Sequence, residues 1–314
     1  MQKSDKIFVA GHRGLVGSAL IRKLERDGFK NLVTRDRSEL DLMNEAGVDS
    51  FFAEEKPAIV LFAAARVGGI KANSDLPVEF LLENIQMQNN VIRAAHQAEV
   101  RKLLFLASSC TYPKHAPQPI RETALLTGPL EATNEAYAIA KIAGIKLCQA
   151  YAREYGANFI SAMPTNLYGP NDNFDLIASH ALPALLRKAH EAKKRGQREM
   201  LVWGSGKPRR EFLHVDDAAD ACVFLLQKYD SAEIINVGCG EDISISELAE
   251  LICDVVGFQG NLAWDTTKPD GTPRKLLSVS KLRDLGWRHT ISLREGIART
   301  YEWFLKNAQQ EAVK

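Results

Sequence analysis

The sequence predicts an α/β protein in which a doubly wound parallel sheet is joined to a smaller C-terminal domain. Through residue 172, short apolar runs alternate with longer stretches of helical periodicity. The apolar runs are continuous, which is typical of strands that helices cover on both faces. The first run also leads through a glycine-rich turn into a helix. These observations together indicate βαβ units and a parallel sheet.

The elements of the first half follow in a regular order. Apolar runs predict strands over residues 6–11, 31–37, 58–66, 102–109 and 158–166. Helical periodicity predicts helices over residues 15–28, 45–57, 78–100 and 134–156. Gly28 follows the first helix as a C-terminal cap, and Pro57 stops the second one.

After residue 172 the alternation breaks. Residues 179–212 predict a helix, a charged loop, a strand and a turn, and residues 214–229 and 233–240 predict a helix and a strand. Ser244 and Glu247 have the spacing of a capping box, which begins another helix. We therefore predict one domain from residues 1–172 plus 214–238, and a second from residues 173–213 plus 239–314.

Composition and charge restrict the class of partner. The chain has 314 residues, of which 46% are hydrophobic and 25% charged, and its net charge is +1. This length suits about two domains of ~150 residues. A charge near zero gives no overall field toward nucleic acid or an acidic membrane, so any anion site must be local. We expect a small-molecule partner, with no nucleic acid and no membrane.

Cysteine usage indicates a reducing compartment and no structural metal. The five cysteines are an odd number and form no C-x-x-C pair, which argues against a disulfide framework and a zinc site. No apolar run reaches the ~18 residues of a membrane span. The first strand begins at Ile7, which leaves no room for a signal peptide. We expect a cytoplasmic protein.

The glycine-rich turn predicts a dinucleotide site of the Rossmann type. Gly11, Gly14 and Gly17 form G-x-x-G-x-x-G between the first strand and the first helix. Glycines let the backbone approach a pyrophosphate, and the helix N-terminus meets the anion. This strand-turn-helix context is the one that a dinucleotide motif requires.

The end of the second strand predicts NADPH rather than NADH. An NAD site has a carboxylate there that accepts a hydrogen bond from the ribose 2′-hydroxyl. Here Arg35 and Arg37 suit a 2′-phosphate instead. Arg13 in the glycine turn can reach the same phosphate. Asp36 is the one residue that fits NADH better.

A tyrosine, a lysine and a serine predict a carbonyl-reducing centre. Tyr137 and Lys141 lie four residues apart on a predicted helix, so they share a face. A lysine ammonium beside a phenol lowers the phenol pKa, and such a tyrosine can exchange a proton with a ketone or carbinol oxygen. Ser108, at the end of a predicted strand, can hydrogen-bond the same oxygen.

In this order the motifs resemble the extended short-chain dehydrogenase/reductases, most of which act on nucleotide sugars. The resemblance is closest to those members that epimerise and reduce GDP-4-keto-6-deoxy-D-mannose to GDP-L-fucose, and it runs from residue 6 to about residue 306. The segments that carry it are "AGHRGLVGSA", "SSCTYPK", "EATNEAYAIAKIAGIKLC", "PTNLYGPNDNF", "WGSGKPRREFLHVDD" and "KPDGTPRKLL".

The resemblance implies a role for single residues. Tyr137 would donate the proton to O4, Lys141 would hold the nicotinamide ribose, and Ser108 would orient the keto oxygen. Residues near NADP(H) would be Gly11, His12, Arg13, Gly14, Leu15, Val16, Gly17, Arg37, Asp41, Leu42, Leu106, Ala107, Ser108, Ser109, Lys141, Pro164, Thr165, Asn166, Leu167 and His180. In the smaller, substrate-binding domain, Lys188, Trp203, Arg210 and Asp270 would contact the GDP-sugar, with Arg187 open as an alternative to Lys188.

An epimerase needs a base and an acid that a simple reductase lacks. Inversion at C3 and C5 removes each proton on one face of the sugar and returns one on the other. A thiol and an imidazole have ordinary pKa values of about 8.5 and 6.5, which bracket neutral pH. We predict Cys110 as the base and His180 as the acid.

Three other functions fit parts of the pattern. A 4,6-dehydratase would carry an Asp-Glu pair where this chain has Cys110-Thr111, and a simple 4-epimerase would not need the arginines at 35 and 37. A non-catalytic NADPH sensor would be expected to lose Tyr137 or Lys141. The resemblance also implies a homodimer through helices 78–100 and 134–156, although packing within one subunit would give the same apolar pattern.

Overall fold

The helices and strands alternate along the chain through the first half of the molecule. The computed structural model describes residues 1–176, 179–268 and 270–311. Its strands are β1 (Ile7–Ala10), β2 (Leu32–Val33), β3 (Ile59–Phe62), β4 (Lys102–Leu106), β5 (Phe159–Pro164), β6 (Asn166–Tyr168), β7 (Glu199–Trp203), β8 (Arg209–Arg210), β9 (Phe212–His214), β10 (Ile235–Val237), β11 (Ile243–Ser244), β12 (Asn261–Asp265) and β13 (Arg274–Lys275). Its α-helices are α1 (Leu15–Arg26), α2 (Glu45–Glu55), α3 (Ile70–Asp75), α4 (Pro77–Gln97), α5 (Glu135–Tyr155), α6 (Ala181–Lys194), α7 (Val215–Lys228), α8 (Ile245–Val256), α9 (Ser280–Asp284) and α10 (Leu293–Glu311).

Six strands form one parallel sheet in the order β10-β5-β4-β3-β1-β2. The predicted Rossmann-type fold class is therefore confirmed. Strand β1 lies between β2 and β3, so the chain direction across the sheet reverses there. In open α/β sheets a ligand binds at such a switch point, outside the carboxyl ends of the strands.

The strands are apolar throughout because both faces of the sheet are buried. On one face Val9, Leu61 and Leu104 join a core with α1 and α7, and on the other Phe62 and Phe105 join a core with α2, α4 and α5. Successive strand residues point to opposite faces, so a sheet covered on both sides needs apolar residues at every position. This is why the strands read as continuous apolar runs.

Helix α5 lies unusually close to β4. A side chain at Gly144 would begin only 2.5 Å from the Phe105 ring and 2.7 Å from the Gln88 side chain of α4. The Gln88 amide also donates to the Ala140 carbonyl at 2.7 Å. The absence of a side chain lets α5 approach the sheet. This approach also sets how close the preceding turn of α5 lies to the sheet. Within the described residues, no helix is both long and apolar enough to cross a bilayer.

The second half of the chain adds a smaller core. Helices α6, α8 and α10 pack with β7 around Leu186, Met200, Leu248 and Ile297. Short strand pairs surround this core: β12 with β7, β6 with β9, and β11 and β13 with β8. Ser244 and Glu247 form the predicted capping box at the start of α8.

Part of the predicted second domain packs with the large sheet. Leu277 and Val279 belong to one of its cores, and Leu282 and Trp287 belong to the other. Loop residues without helical or strand periodicity carry no signal for such docking, so the sequence assigned the whole of 239–314 to one unit. The division into two domains stays a prediction.

Candidate active site

One cleft of about 1060 Å³ opens at the carboxyl ends of β1, β3, β4 and β5. Its floor is the sheet edge, and its far wall comes from α6, β7, β8 and the segment around residue 270. Apart from Arg187, the alternative to Lys188, every site residue predicted from the sequence lines this cleft. The fold therefore brings them together, while the role of each remains a prediction.

The glycine turn forms the floor of the cleft beside α1. Gly11 has a left-handed φ of +84°, and a side chain at Gly17 would begin 2.0 Å from the Gly11 carbonyl oxygen. Both positions therefore require glycine. Gly14 precedes α1, and none of the described residues caps this N-terminus with a side chain. The free amide groups of the first helical turn suit a phosphate.

The cations around the end of β2 differ in how they are held. Arg35 lines the cleft, but it pairs with Glu55 and lies 5.5 Å over the Phe51 ring, so this arginine already has partners within the subunit. Arg37 is 72% exposed, with Asp41 at 4.0 Å. The two residues behave differently because Glu55 of α2 lies beside Arg35.

Asp36, the residue that fitted NADH better, is already paired. Its carboxylate accepts from Arg13 at 2.6 Å, and His12 Nε2 lies 3.4 Å away. Arg13 itself is 76% exposed. The carboxylate at the end of β2 is thereby balanced by neighbouring side chains, and Arg13 and Arg37 remain at the mouth of the cleft.

Tyr137, Lys141 and Ser108 meet where β4 ends under α5. The Ser108 side chain lies close enough to the Tyr137 phenol to lower its pKa. Lys141 is 3% exposed, and its ammonium donates to the Leu106 carbonyl at 2.8 Å. The Lys141 Nζ also lies 5.9 Å from the centre of the Tyr137 ring. A proton donor, a hydroxyl and a buried amine therefore surround one point of the cleft.

The pKa of Tyr137 shifts in the opposite direction from the one predicted from the sequence. Burial raises the pKa of Tyr137 above its ordinary value, and the nearby Cys110 acts in the same direction; the Ser108 side chain opposes both. Burial also lowers the pKa of Lys141 to about 7. The expectation that the tyrosine pKa is lowered is therefore wrong for this geometry, because desolvation of the phenol is the largest effect and raises the pKa.

Cys110 and His180 line the cleft from two different elements. Cys110 lies in the single turn of 3-10 helix, Ser109–Thr111, that follows β4, and its amide donates to the Ser108 hydroxyl at 3.2 Å. His180 precedes α6 at its N-terminus. Its ring is open to the cleft, yet the surrounding walls desolvate it and lower its pKa below the ordinary value. Both side chains are accessible from the cleft.

The far end of the cleft carries the predicted nucleotide contacts. Lys188 Nζ lies 4.7 Å over the Trp203 ring, which is 48% exposed. Arg187 is bound elsewhere: it donates to Glu191 at 2.9 Å and to the Phe174 carbonyl at 3.0 Å. Of these two neighbouring cations, Lys188 is therefore the one in the cleft.

Asp270 also has a structural role. Its two carboxylate oxygens accept from the Ser205 amide and the Ser205 hydroxyl, both at 2.7 Å. These bonds lower its pKa, so the carboxylate stays ionised. Arg210, in β8, is mostly desolvated, which lowers its pKa, while Cys110, Asp270 and Glu131 act against that shift.

The sequence reasoning missed Lys275. Its ammonium lies 3.8 Å from the Cys110 sulfur and lines the same cleft. Lys275 is part of the segment "KPDGTPRKLL", but 165 positions separate it from Cys110. No local pattern could have paired the two residues.

We predict that Lys141→Met stabilises the fold near neutral pH. A lysine pKa of about 7 in the folded chain lies below the ~10.4 of an unfolded chain, so the unfolded state binds more protons between these values. The buried Lys141 therefore destabilises the folded wild type by its full amount below pH 7, and this destabilisation decreases as the pH rises toward 10. In urea unfolding, the advantage of the variant should fall by about 1 kcal/mol per pH unit between pH 7.5 and 9.5. An advantage that does not change with pH would contradict the lowered pKa.

Comparison with known proteins agrees with this geometry. The model of the NAD dependent epimerase/dehydratase family matches residues 7–238. GDP-L-fucose synthase 1 of Arabidopsis thaliana is 62% identical over 305 residues, which cover 97% of this chain and 94% of the relative. GDP-L-fucose synthase of Escherichia coli K12 is 53% identical over 312 residues, which cover 96% and 97%.

A solved structure extends the comparison to the fold. A GDP-L-fucose synthetase from Naegleria fowleri bound to NADP superposes with a TM-score of 0.91 at 34% identity, over 98% of this chain and 95% of the other. The family match, the identity and the superposition each extend over most of the chain. This chain therefore belongs to the NAD dependent epimerase/dehydratase family, and within it to the GDP-L-fucose synthases.

Proposed function

We propose that this chain converts GDP-4-keto-6-deoxy-D-mannose to GDP-L-fucose with NADPH, by epimerisation at C3 and C5 and reduction at C4. The observation that carries the proposal is the position of Cys110, a cleft-facing thiol beside the Ser108–Tyr137 pair. A reductase needs only that pair and a hydride source. A thiol at the same point, in a chain 53% identical to a GDP-L-fucose synthase, supports the epimerase step as well.

Reduction uses the residues at the end of β4. Bound NADPH supplies the hydride. The Tyr137 phenol gives its proton to O4 as the carbonyl becomes an alkoxide, and Ser108 holds the same oxygen. A phenol whose pKa is raised by burial stays protonated until that oxygen becomes strongly basic. Lys141 binds the ribose, and a hydrogen bond to the Leu106 carbonyl holds its ammonium in place.

Epimerisation uses Cys110 and His180 on either side of the sugar. The Cys110 sulfur removes the proton at C3 or C5, and the electron pair moves into an enolate whose oxygen is O4. Tyr137 and Ser108 stabilise that oxygen, as donors in an oxyanion site do. His180 returns a proton to the opposite face. Its lowered pKa makes the protonated ring a stronger acid, although a less populated one at neutral pH.

Cofactor and nucleotide bind at opposite ends of the cleft. The free amide groups at the start of α1 suit the pyrophosphate of NADPH, and the exposed guanidiniums of Arg13 and Arg37 suit its 2′-phosphate. Residues 164–167, at the end of β5 and in β6, line the nicotinamide end. Lys188 and Arg210 suit the GDP pyrophosphate, while Trp203 and Asp270 suit guanine.

A homodimer through α4 and α5 also fits this chain. Val78, Leu82 and Ile139 are 66%, 57% and 44% exposed on these helices. Exposed apolar side chains on two helices that pack together suit a four-helix contact with a second copy.

We predict that the epimerase and reductase steps separate in two variants. With substrate in D₂O, the wild type should incorporate deuterium at C3 and C5, and with NADPH it should yield GDP-L-fucose by NMR. Cys110→Ser should lower incorporation at least a hundredfold, because it removes the base. Tyr137→Phe should lower NADPH oxidation more than exchange, since the alkoxide loses its proton donor.

The control for this test is Cys253→Ser, which removes a buried thiol of α8. It should leave exchange and reduction unchanged. Exchange that persists at the wild-type rate in Cys110→Ser excludes this cysteine as the base. A wild type that never oxidises NADPH with this substrate excludes the proposed activity.

We predict that Arg37→Ala lowers kcat/KM for NADPH by about ten- to a hundredfold, the value of a charge-assisted contact. The value for NADH should change far less, because NADH has no 2′-phosphate. Arg35→Ala is the matched control, since Arg35 is held by Glu55. Equal losses with the two cofactors would contradict the assignment of Arg37.

We predict that Leu82→Lys converts a dimer to a monomer in size-exclusion chromatography with light scattering. An ammonium in an apolar helix contact is costly to desolvate. Leu285→Lys, at a residue 37% exposed after α9, is the control and should leave the mass unchanged. A wild type with the mass of one chain at micromolar concentration would exclude the dimer.

A further inference from the structure

Lys275 is the basic group in contact with the Cys110 sulfur. The Lys275 ammonium lies 3.8 Å from this sulfur, and both residues are partly exposed to the cleft. A thiolate, rather than a thiol, is the form of cysteine that acts as a base or nucleophile, and an adjacent cation stabilises it. The contact therefore places an ammonium where it can stabilise a thiolate at Cys110.

Arg210 reinforces this positive environment from the neighbouring strand. Strand β13 pairs in parallel with β8, and Lys275 lies directly opposite Arg210. Arg210 interacts electrostatically with Cys110 as well. Two adjacent strands thus direct one cation each toward the same sulfur.

The backbone holds Lys275 in this position. Beyond Cys110 the chain reaches Ile120, whose amide donates to the Leu276 carbonyl at 2.8 Å and whose carbonyl accepts from the Ser278 amide at 2.8 Å. The Gln118 side chain accepts from the Leu276 amide at 2.8 Å. The loop that follows the thiol and the strand that carries the ammonium are therefore hydrogen-bonded to each other.

The nearby carboxylates are occupied by other partners. Glu131 pairs with Lys114 at 3.0 Å, and Asp270 is held by Ser205. In the described parts of the chain, no carboxylate forms a salt bridge with Lys275. Among the described residues, a further ionisable neighbour of Cys110 is Tyr137, on α5, whose raised pKa keeps it neutral. The charges facing the sulfur are therefore predominantly positive.

We propose that Lys275, supported by Arg210, holds Cys110 as a thiolate and so makes it the base of the epimerisation. This inference rests on the proposed function. The thiolate takes the C–H proton and becomes a thiol, the electron pair enters the enolate, and His180 protonates the carbon. The thiol then loses its proton through water to the neutral imidazole, which resets both groups. Lys275 takes no part in the proton transfers and acts as a positioning residue.

The test measures the thiol directly, without substrate. The folded enzyme is treated with iodoacetamide at pH 7.0, and alkylation of the Cys110 peptide is followed by mass spectrometry. Lys275→Met should lower the alkylation rate at least tenfold, because the thiolate loses its cation. Lys275→Arg should restore most of it. Lys281→Met is the control, since this lysine pairs with Glu233 elsewhere on the surface.

Deuterium exchange at C3 and C5 gives the second readout on the same variants. A parallel loss of alkylation and exchange in Lys275→Met, with rescue by Lys275→Arg, supports the proposal. Alkylation at the wild-type rate overturns it, even if exchange falls, because Lys275 would then act on the substrate instead. If Lys275→Met does not fold, Lys275→Gln is measured in its place. A wild type that alkylates rapidly but exchanges no deuterium contradicts the proposed function itself.

Discussion

The site depends on the contact between α5 and the end of β4. Gly144 lets the helix approach Phe105, and one turn earlier the buried ammonium of Lys141 donates to the Leu106 carbonyl. The same strand ends in Ser108 and the thiol turn, so one contact sets the positions of the phenol, the hydroxyl and the sulfur. A buried lysine is costly, and its pKa of about 7 expresses that cost. The chain thus retains a destabilising group at the proposed catalytic centre.

A second set of bonds ties the far wall of the cleft to this centre. Glu211, fully buried, accepts from the Gly240 and Leu277 amides at 2.7 and 2.9 Å. Together with the pairing of Ile120 to Leu276 and Ser278, these bonds keep the segment that carries Lys275 against the loop that carries Cys110. The thiol and the ammonium come from two distant segments, so the distance between them depends on how firmly those segments are joined.

Charge is local in this protein, as a net charge of +1 requires. Three carboxylates near the cleft are paired with cations: Asp36 with Arg13, Glu131 with Lys114 and Glu55 with Arg35. The cations left facing the cleft lie at three places, suited in turn to a 2′-phosphate, a thiolate and a pyrophosphate. Ion pairing within the subunit therefore decides which cations are available to bind a ligand. The number of lysines and arginines in the sequence does not decide this.

The sequence by itself determined the sheet, the glycine turn and the identity of the residues at the strand ends, because strand burial, helix periodicity and turn geometry are local properties. It also supplied Tyr137, Lys141, Ser108 and Cys110 as neighbours along two elements. Only the tertiary structure decided that Arg35 is bound by Glu55 and that burial raises the tyrosine pKa. It also brought Lys275 to Cys110 across 165 positions. Those features depend on desolvation and on contacts between distant segments, which no local pattern encodes.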